Sequence, residues 1–167
     1  EAGLRAAARA ADGAGPATCL GETLPQAVGL DSLRAMVQWA AEATKEQVAA
    51  LAPVVTEAAD HGDAVARRCI AGQAAGLAWR TAAAARRAGI STEAPVYCSG
   101  ALFTCVALFR ETYERALRGE APRLQPLTPP LAGPRAILEL ARAPEAPAWV
   151  SAARGPLDGS AAAWTSE

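Results

Sequence analysis

Side chains able to do acid–base, nucleophilic or metal chemistry are few and scattered in this 167-residue chain. It has one histidine, His61, and four cysteines, Cys19, Cys69, Cys98 and Cys105, without a C-x-x-C pair. Zinc sites need clustered ligands, and the sequence has no Ser-His-Asp set, G-x-x-x-x-G-K loop, G-x-G-x-x-G run or paired-carboxylate motif. We interpret Cys98 and Cys105, seven positions apart, as inert buried thiols, with thiol chemistry as the alternative.

The polar residues around Gly62 are explained by helix ends. Gly62 suits the left-handed residue that closes one helix, and Asp63 suits the N-cap of the next. His61 then lies at a helix end. We therefore interpret Asp63 as structural, with a role as a catalytic base as the alternative.

The most informative stretch runs from Pro95 to Phe103, where a short strand enters a small-residue turn at Gly100 and then a helix. Open α/β sheets bind their ligands at the carboxyl ends of strands, beside such turns. The sequence therefore predicts a binding site at Gly100.

Composition narrows the class of protein. An apolar share of 51% with 20% charged residues is typical of one globular domain, and a net charge of −1 favours neither nucleic acid nor a membrane surface as a partner. Scattered cysteines predict reduced thiols and a cytoplasmic protein. Glu1 is neither an initiator Met nor part of a signal pattern, so we expect a piece of a longer protein.

Alanine content, N-cap residues and a proline predict four helices in the first sixty residues. Alanine content predicts a helix over 2–11, followed by a loop as far as an N-cap at Asp31-Ser32. The apolar face of the helix after that cap comprises Leu33, Met36, Val37 and Ala40. A capping box at 44–47 begins one short helix, and Pro53 begins another.

A long helix is predicted from about Ala64 to Arg87, with Gly89 ending it. Its expected buried face comprises Val65, Cys69, Ile70, Gln73, Leu77 and Thr81. We interpret Gly72 and Gly76, one turn apart, as a close-packing surface, with a bare face for a flat ligand as the alternative.

The remaining elements follow in order. We predict a strand over 96–99, a helix from about Cys105 to Arg118, an edge strand over 123–127 and a last helix over 135–142. Val106, Phe109, Tyr113 and Leu117 should face inward from the first of these helices. The Ala-, Pro- and Gly-rich composition of residues 143–167 predicts a mobile extension.

Three segments, taken in this order, resemble a known family: Val48 to Asp63, Pro95 to Phe103, and Leu127 to Leu140. They are similar to the C-terminal half of N-acetylglucosamine kinases and of the related ATPases that include the activators of benzoyl-CoA reductase and 2-hydroxyacyl-CoA dehydratase. The resemblance covers residues 1–142. It implies a helix-rich α/β fold, the C-terminal portion of an actin-like (ribonuclease H-like) ATPase domain with a helical subdomain and an incomplete sheet.

The resemblance also implies a nucleotide site. Gly100 and Ala101 match the turn that passes under the adenosine of ATP, Thr104 or Cys105 matches a position near the ribose or adenine, and Ala49 matches a small residue flanking the adenine. Mg²⁺ would arrive with the nucleotide, the amino sugar N-acetylglucosamine would be the substrate, and a homodimer is one arrangement open to the chain.

Departures from the family pattern limit what this chain does alone. Ser99-Gly100-Ala101 replaces the usual Gly-Gly or Gly-Ser turn, and Gly133-Pro134 replaces a Gly-Ala pair. The phosphate-binding hairpin, the metal-positioning Asp and the sugar-binding Asp belong to a missing N-terminal lobe, so the chain alone should not transfer phosphate. An activator ATPase and a non-catalytic helical interaction module are the alternatives.

Overall fold

The computed structural model describes residues 1–127, which form a helix-rich α/β protein. The helices are α1 (Ala2–Ala11), α2 (Leu20–Ala27), α3 (Leu33–Glu42), α4 (Lys45–Ala49), α5 (Ala52–Asp60), α6 (Ala64–Arg87), α7 (Ala101–Cys105) and α8 (Ala107–Glu120). The strands are β1 (Ala94–Tyr97) and β2 (Leu124–Leu127). The expected helix over 135–142 and the extension over 143–167 lie outside the described residues.

Local capping fixes the starts of α3 and α4, as the sequence predicts. Ser32 Oγ accepts a 3.2 Å hydrogen bond from the N–H of Ala35 at the start of α3. Thr44 and Gln47 form a reciprocal capping box at the start of α4, with bonds of 2.8 and 3.3 Å. Pro53 lies in the first turn of α5, where its missing N–H costs no intrahelical bond.

The expected loop between α1 and α3 was wrong, because residues Leu20–Ala27 form α2. Pro25 lies inside this helix, where proline removes a hydrogen bond. Leu20 and Leu24, one turn apart, are fully buried against the core. Burial of these two leucines stabilises α2 in the folded protein by a few kcal/mol, which is about enough to offset the cost of a proline inside a helix. Because this stabilisation comes from tertiary packing, no local sequence signal indicates it.

The bounds of α6 are confirmed, but its predicted buried face is wrong in part. The buried residues of α6 are Val65, Ala66, Ile70, Ala74, Ala78 and Ala82. Gln73 is exposed, whereas Cys69, Leu77 and Thr81 are half-buried at the flanks. α6 packs mainly against α8 and α5. Alanines at four-residue spacing let these helices approach closely, so the smallest side chains form the contact.

Gly72 and Gly76 do not serve close packing. A Cβ on Gly72 would meet no heavy atom within 4 Å, and one on Gly76 would meet only the Arg80 side chain at 3.7 Å. The prediction of a close-packing surface was therefore wrong for the described part of the chain. Both glycines leave a bare surface on the outer side of α6.

β1 and β2 are parallel and are joined through α7 and α8. Ala94 lies opposite Leu124 and Tyr97 opposite Leu127. β1 begins and ends two residues earlier than the predicted strand over 96–99. The single helix expected after the turn is two helices, because the backbone is extended at Val106.

An aromatic cluster holds α7 against α8. The Phe103 ring lies edge-on to the rings of Phe109 and Tyr113, with centroids 5.2 and 5.0 Å apart. Phe109, Tyr113 and Leu117 are buried as predicted, and Val106 is half-buried. This packing fixes the position of α7, and with it the bend at Gly100, relative to α8.

Candidate functional site

The backbone of the bend after β1 is not covered by a side chain, because the residue at the bend is Gly100. Gly100 has φ +105°, a conformation that favours glycine, and a Cβ built there meets no heavy atom within 4 Å. Its carbonyl oxygen accepts hydrogen bonds from the N–H groups of Phe103 and Thr104 at 3.0 and 3.2 Å. The turn is thus held by its own helix, and the space in front of the Gly100 Cα is open.

The predicted site residues fall into two places. Ala101, Thr104 and Cys105 are exposed on α7 beside Gly100, and the Thr104 hydroxyl donates a 3.3 Å hydrogen bond to the Gly100 carbonyl. Ala49 is exposed at the end of α4 and lines a cavity that none of those four residues lines. Leu102, on the same short helix as Ala101, lines that cavity with Ala49.

This larger cavity has a volume of about 440 Å³, within the range of small-molecule sites. Its apolar walls include Leu24, Trp39, Val48, Ala49, Leu51, Val55, Ile70, Leu102 and Phe109, and its polar side chains are those of Glu1, Lys45, Thr56, Cys69 and Gln73. Apolar walls with a few polar groups suit a flat ligand with a polar edge.

A second cavity of about 370 Å³ adjoins the first on the α1 side. It is lined by Glu1, Ala2, Arg5, Ala6, Arg9 and Gln73, of which Glu1, Ala2 and Gln73 also line the larger cavity. An apolar space and a basic space therefore meet at Gln73.

Sequence reasoning missed these cavities, because their residues come from α1, α2, α3, α4, α5, α6, α7 and α8. Trp39, Gln73 and Arg9 carry no local motif. One signal was available: Gln73 follows Cys69 by one turn of α6, and polar residues at that spacing share a helix face.

Asp63 is a structural group, as its N-cap prediction indicates. Its Oδ1 accepts hydrogen bonds from the N–H groups of Val65 and Ala66 at 2.9 and 2.8 Å. Its Oδ2 accepts from the Thr18 hydroxyl and the Cys19 N–H, both at 2.8 Å. Burial alone would raise the pKa of Asp63, but the hydrogen bonds from Ala66, Thr18 and Cys19 outweigh it and hold the pKa well below its usual range.

The four cysteines are free thiols in different surroundings. Cys98 is buried, and burial raises its pKa and disfavours the reactive thiolate. Cys105 is exposed, so the interpretation of it as a buried thiol was wrong. Burial and the neighbouring Asp63 carboxylate raise the pKa of Cys19.

His61 is exposed at the end of α5, where its ring Nδ1 lies 2.9 Å from the Glu57 carbonyl oxygen. Its position at a helix end is the one expected. Across residues 1–127, no group of three or more His, Cys, Asp and Glu side chains could hold a metal ion.

Comparison with known proteins gives no relative: no family model, no curated protein and no solved structure matches the chain. None of the helices between residues 1 and 127 has the length and apolar character needed to cross a membrane.

Proposed function

We propose that this chain is the C-terminal portion of an ATP-dependent sugar kinase of the N-acetylglucosamine kinase type, with an actin-like fold. It supplies the adenosine side of a nucleotide site in a cytoplasmic enzyme. The phosphate-binding and catalytic groups, and the contacts to the amino sugar, come from an N-terminal lobe outside these 167 residues. The family resemblance of residues 1–142 motivates the assignment.

The observation that carries the proposal is the bare backbone at Gly100. β1, α7, α8 and β2 form a parallel β-α-β unit, and Gly100 follows the carboxyl end of β1. Ligands of open α/β sheets bind at that edge. No side chain fills the space that a Cβ on Gly100 would occupy, so a nucleoside can approach the main chain.

The larger cavity offers the base a place next to α7, the helix that follows this bend, although Gly100 itself does not line it. Ala49 and Leu102 both line it, so a residue from the helical segment and one from the helix after Gly100 share one space. The resemblance implies that Ala49 flanks the adenine and that the turn at Gly100 and Ala101 passes under the adenosine. Trp39 adds an aromatic wall against which a purine can pack.

The residues present fit a nucleoside better than a bound metal. ATP carries Mg²⁺ on its phosphates, and residues 1–127 hold no cluster that would bind the ion directly. In this arrangement Mg²⁺ is held by the phosphates and the other lobe. This chain's own contribution is to bind and orient the nucleoside.

The decisive experiment is calorimetric titration of the full chain with ATP and with adenosine. Gly100→Val should weaken both about tenfold or more, because the branched side chain occupies the approach to the main chain. Gly29→Val is the matched control: Gly29 has φ +71°, has no atom near its Cβ position and lines neither cavity. Failure of the unmodified chain to bind either ligand would end the nucleotide proposal.

A non-catalytic helical interaction module is the second candidate, favoured by one observation. Trp79 is 57% exposed on the outer side of α6, close to the bare surface at Gly72 and Gly76. Exposed tryptophans are enriched in protein interfaces. Absence of nucleotide binding by both the unmodified chain and the Gly100→Val variant would favour this module.

An activator ATPase is the remaining alternative. Such a protein presents a pair of cluster-binding cysteines at a dimer interface, whereas Cys98 is buried and Cys105 is exposed. An iron–sulfur absorption band in protein purified without oxygen would favour the activator over the kinase.

A further inference from the structure

The basic cavity on α1 adjoins the apolar cavity, and the two differ in chemistry. Arg5 and Arg9 line only the second cavity, whereas the aliphatic and aromatic walls belong to the first. Glu1, Ala2 and Gln73 line both. A ligand that spans the two spaces therefore needs a flat, mainly apolar part joined to an anionic part.

Arg5 and Arg9 are one turn apart on α1, so their guanidinium groups lie on the same side of the helix. Arg9 donates a 3.3 Å hydrogen bond to the Ala14 carbonyl, which uses one of its five N–H donors. Arg5 lies 3.9 Å from the Glu1 carboxylate, with both side chains over three-quarters exposed, so this pair is weak. Donors on both arginines remain available.

We infer, building on the proposed nucleotide site, that Arg5 and Arg9 bind the phosphates of a nucleotide whose base occupies the larger cavity. Arginine binds phosphate oxygens through paired N–H donors, which adds geometric selectivity to charge attraction. Glu1 opposes the anion, but it is one carboxylate against two guanidinium groups. This chain then supplies phosphate contacts of its own in addition to those of a second lobe.

Gln73 lies where the two parts of the ligand would meet. Its amide carries both donors and an acceptor, a combination that can hydrogen-bond the hydroxyl groups of the ribose that links base and phosphate. The two cavities, with Gln73 between them, thus match a nucleoside phosphate in the order base, linker and anion.

The test compares adenosine with ADP on the full chain by calorimetry at low ionic strength. The double variant Arg5→Gln/Arg9→Gln should bind ADP about tenfold more weakly or worse, because it loses charge-assisted hydrogen bonds to phosphate. Its affinity for adenosine should be unchanged. Arg34→Gln/Arg68→Gln is the matched control, since both arginines are exposed and line neither cavity.

Each outcome is decisive. Selective loss of ADP affinity, together with a steeper salt dependence for ADP than for adenosine in the unmodified chain, supports the inference. Equal loss of both ligands, or ADP binding no tighter than adenosine, overturns it while the nucleoside site stands. If adenosine itself does not bind, the proposed function and this inference both fall.

Discussion

The Thr18 hydroxyl donates a 2.8 Å hydrogen bond to Asp63 Oδ2 across 45 positions of the chain. The same oxygen accepts from the Cys19 N–H, while the other carboxylate oxygen accepts from the N–H groups of Val65 and Ala66. One side chain thus begins the longest helix of the described residues and fastens the segment before α2 to it.

Replacement of Asp63 should separate these two tasks. Asp63→Ala removes both and should lower the free energy of unfolding by about 3 kcal/mol, as the sum of a lost N-cap and lost hydrogen bonds to a charged group. Asp63→Asn keeps the N-cap, because its oxygen still accepts from Val65 and Ala66, but its amide nitrogen cannot accept from Cys19. Asp63→Asn should lower the free energy of unfolding by about half as much as Asp63→Ala does. Urea unfolding at pH 7 measures both.

The control for that experiment is Thr18→Val, which keeps the shape of the side chain and removes only the hydroxyl. The same hydroxyl accepts a 3.2 Å hydrogen bond from the Leu20 N–H, which Thr18→Val also removes. The substitution should therefore cost about 1–2 kcal/mol in the unmodified chain and about 1 kcal/mol less in the Asp63→Ala background, where only the bond from Leu20 is still lost. Additive losses from Thr18→Val and Asp63→Ala would contradict the link between the two residues.

Titration of the Asp63 carboxylate should make the free energy of unfolding depend on pH. The pKa of Asp63 in the folded protein lies well below its ordinary value of 3.8. Its stabilising contribution is therefore fully present above about pH 4 and is lost as pH falls toward the folded-state pKa. The free energy of unfolding of Asp63→Asn, which lacks this titration, should approach that of the unmodified chain between about pH 4 and pH 2. Parallel stability curves over that range would refute the assignment.

Local patterns predicted the parts of the fold that local interactions determine. The Gly62-Asp63 junction gave the start of α6 correctly, and the spacing of Phe109, Tyr113 and Leu117 gave the buried face of α8. The Thr18–Asp63 hydrogen bond has no such pattern, because its partners meet only when α2 packs on the core. α2 was not predicted either, because Pro25 disfavours a helix locally and the packing that stabilises this helix forms only in the folded chain.

One part of the candidate site could be predicted from the sequence, and the other part could not. The bend at Gly100 was predictable because a short strand, a glycine and a helix are adjacent in sequence. The cavities were not, because their walls come from helices far apart in the chain. Alanine-rich segments gave no sign of which face would be buried, since alanine is compatible with both the surface and the core.

The alanine stripe on α6 predicts a strong asymmetry between two neighbouring faces. Ala78 is fully buried, whereas Ala75 on the outer face is exposed. Ala78→Leu should lower the free energy of unfolding by about 1–3 kcal/mol, because the larger side chain forces the packed helices apart. Ala75→Leu adds the same atoms toward solvent and should change it by less than about 0.5 kcal/mol. Equal effects in thermal or urea unfolding would show that the stripe is not the packing contact.

Tyr113 joins α8 to α6 through both its ring and its hydroxyl. It is 2% exposed, and its hydroxyl donates a 3.1 Å hydrogen bond to Thr81 Oγ1, which donates in turn to the Leu77 carbonyl at 3.0 Å. Tyr113→Phe removes the hydroxyl alone and should cost about 1 kcal/mol, whereas Tyr113→Ala also empties the aromatic cluster and should cost about 3–5 kcal/mol.

A double-mutant cycle isolates the hydrogen bond. Thr81→Val and Tyr113→Phe each remove one partner, and the second substitution should cost less in the presence of the first by about 0.5–1 kcal/mol. Because Phe103 packs edge-on against Tyr113, the Tyr113→Ala variant should also loosen α7 and the bend at Gly100. Hydrogen exchange at residues 101–105 should accelerate in that variant and stay unchanged in Tyr113→Phe, since only the first removes the ring that holds α7 in place.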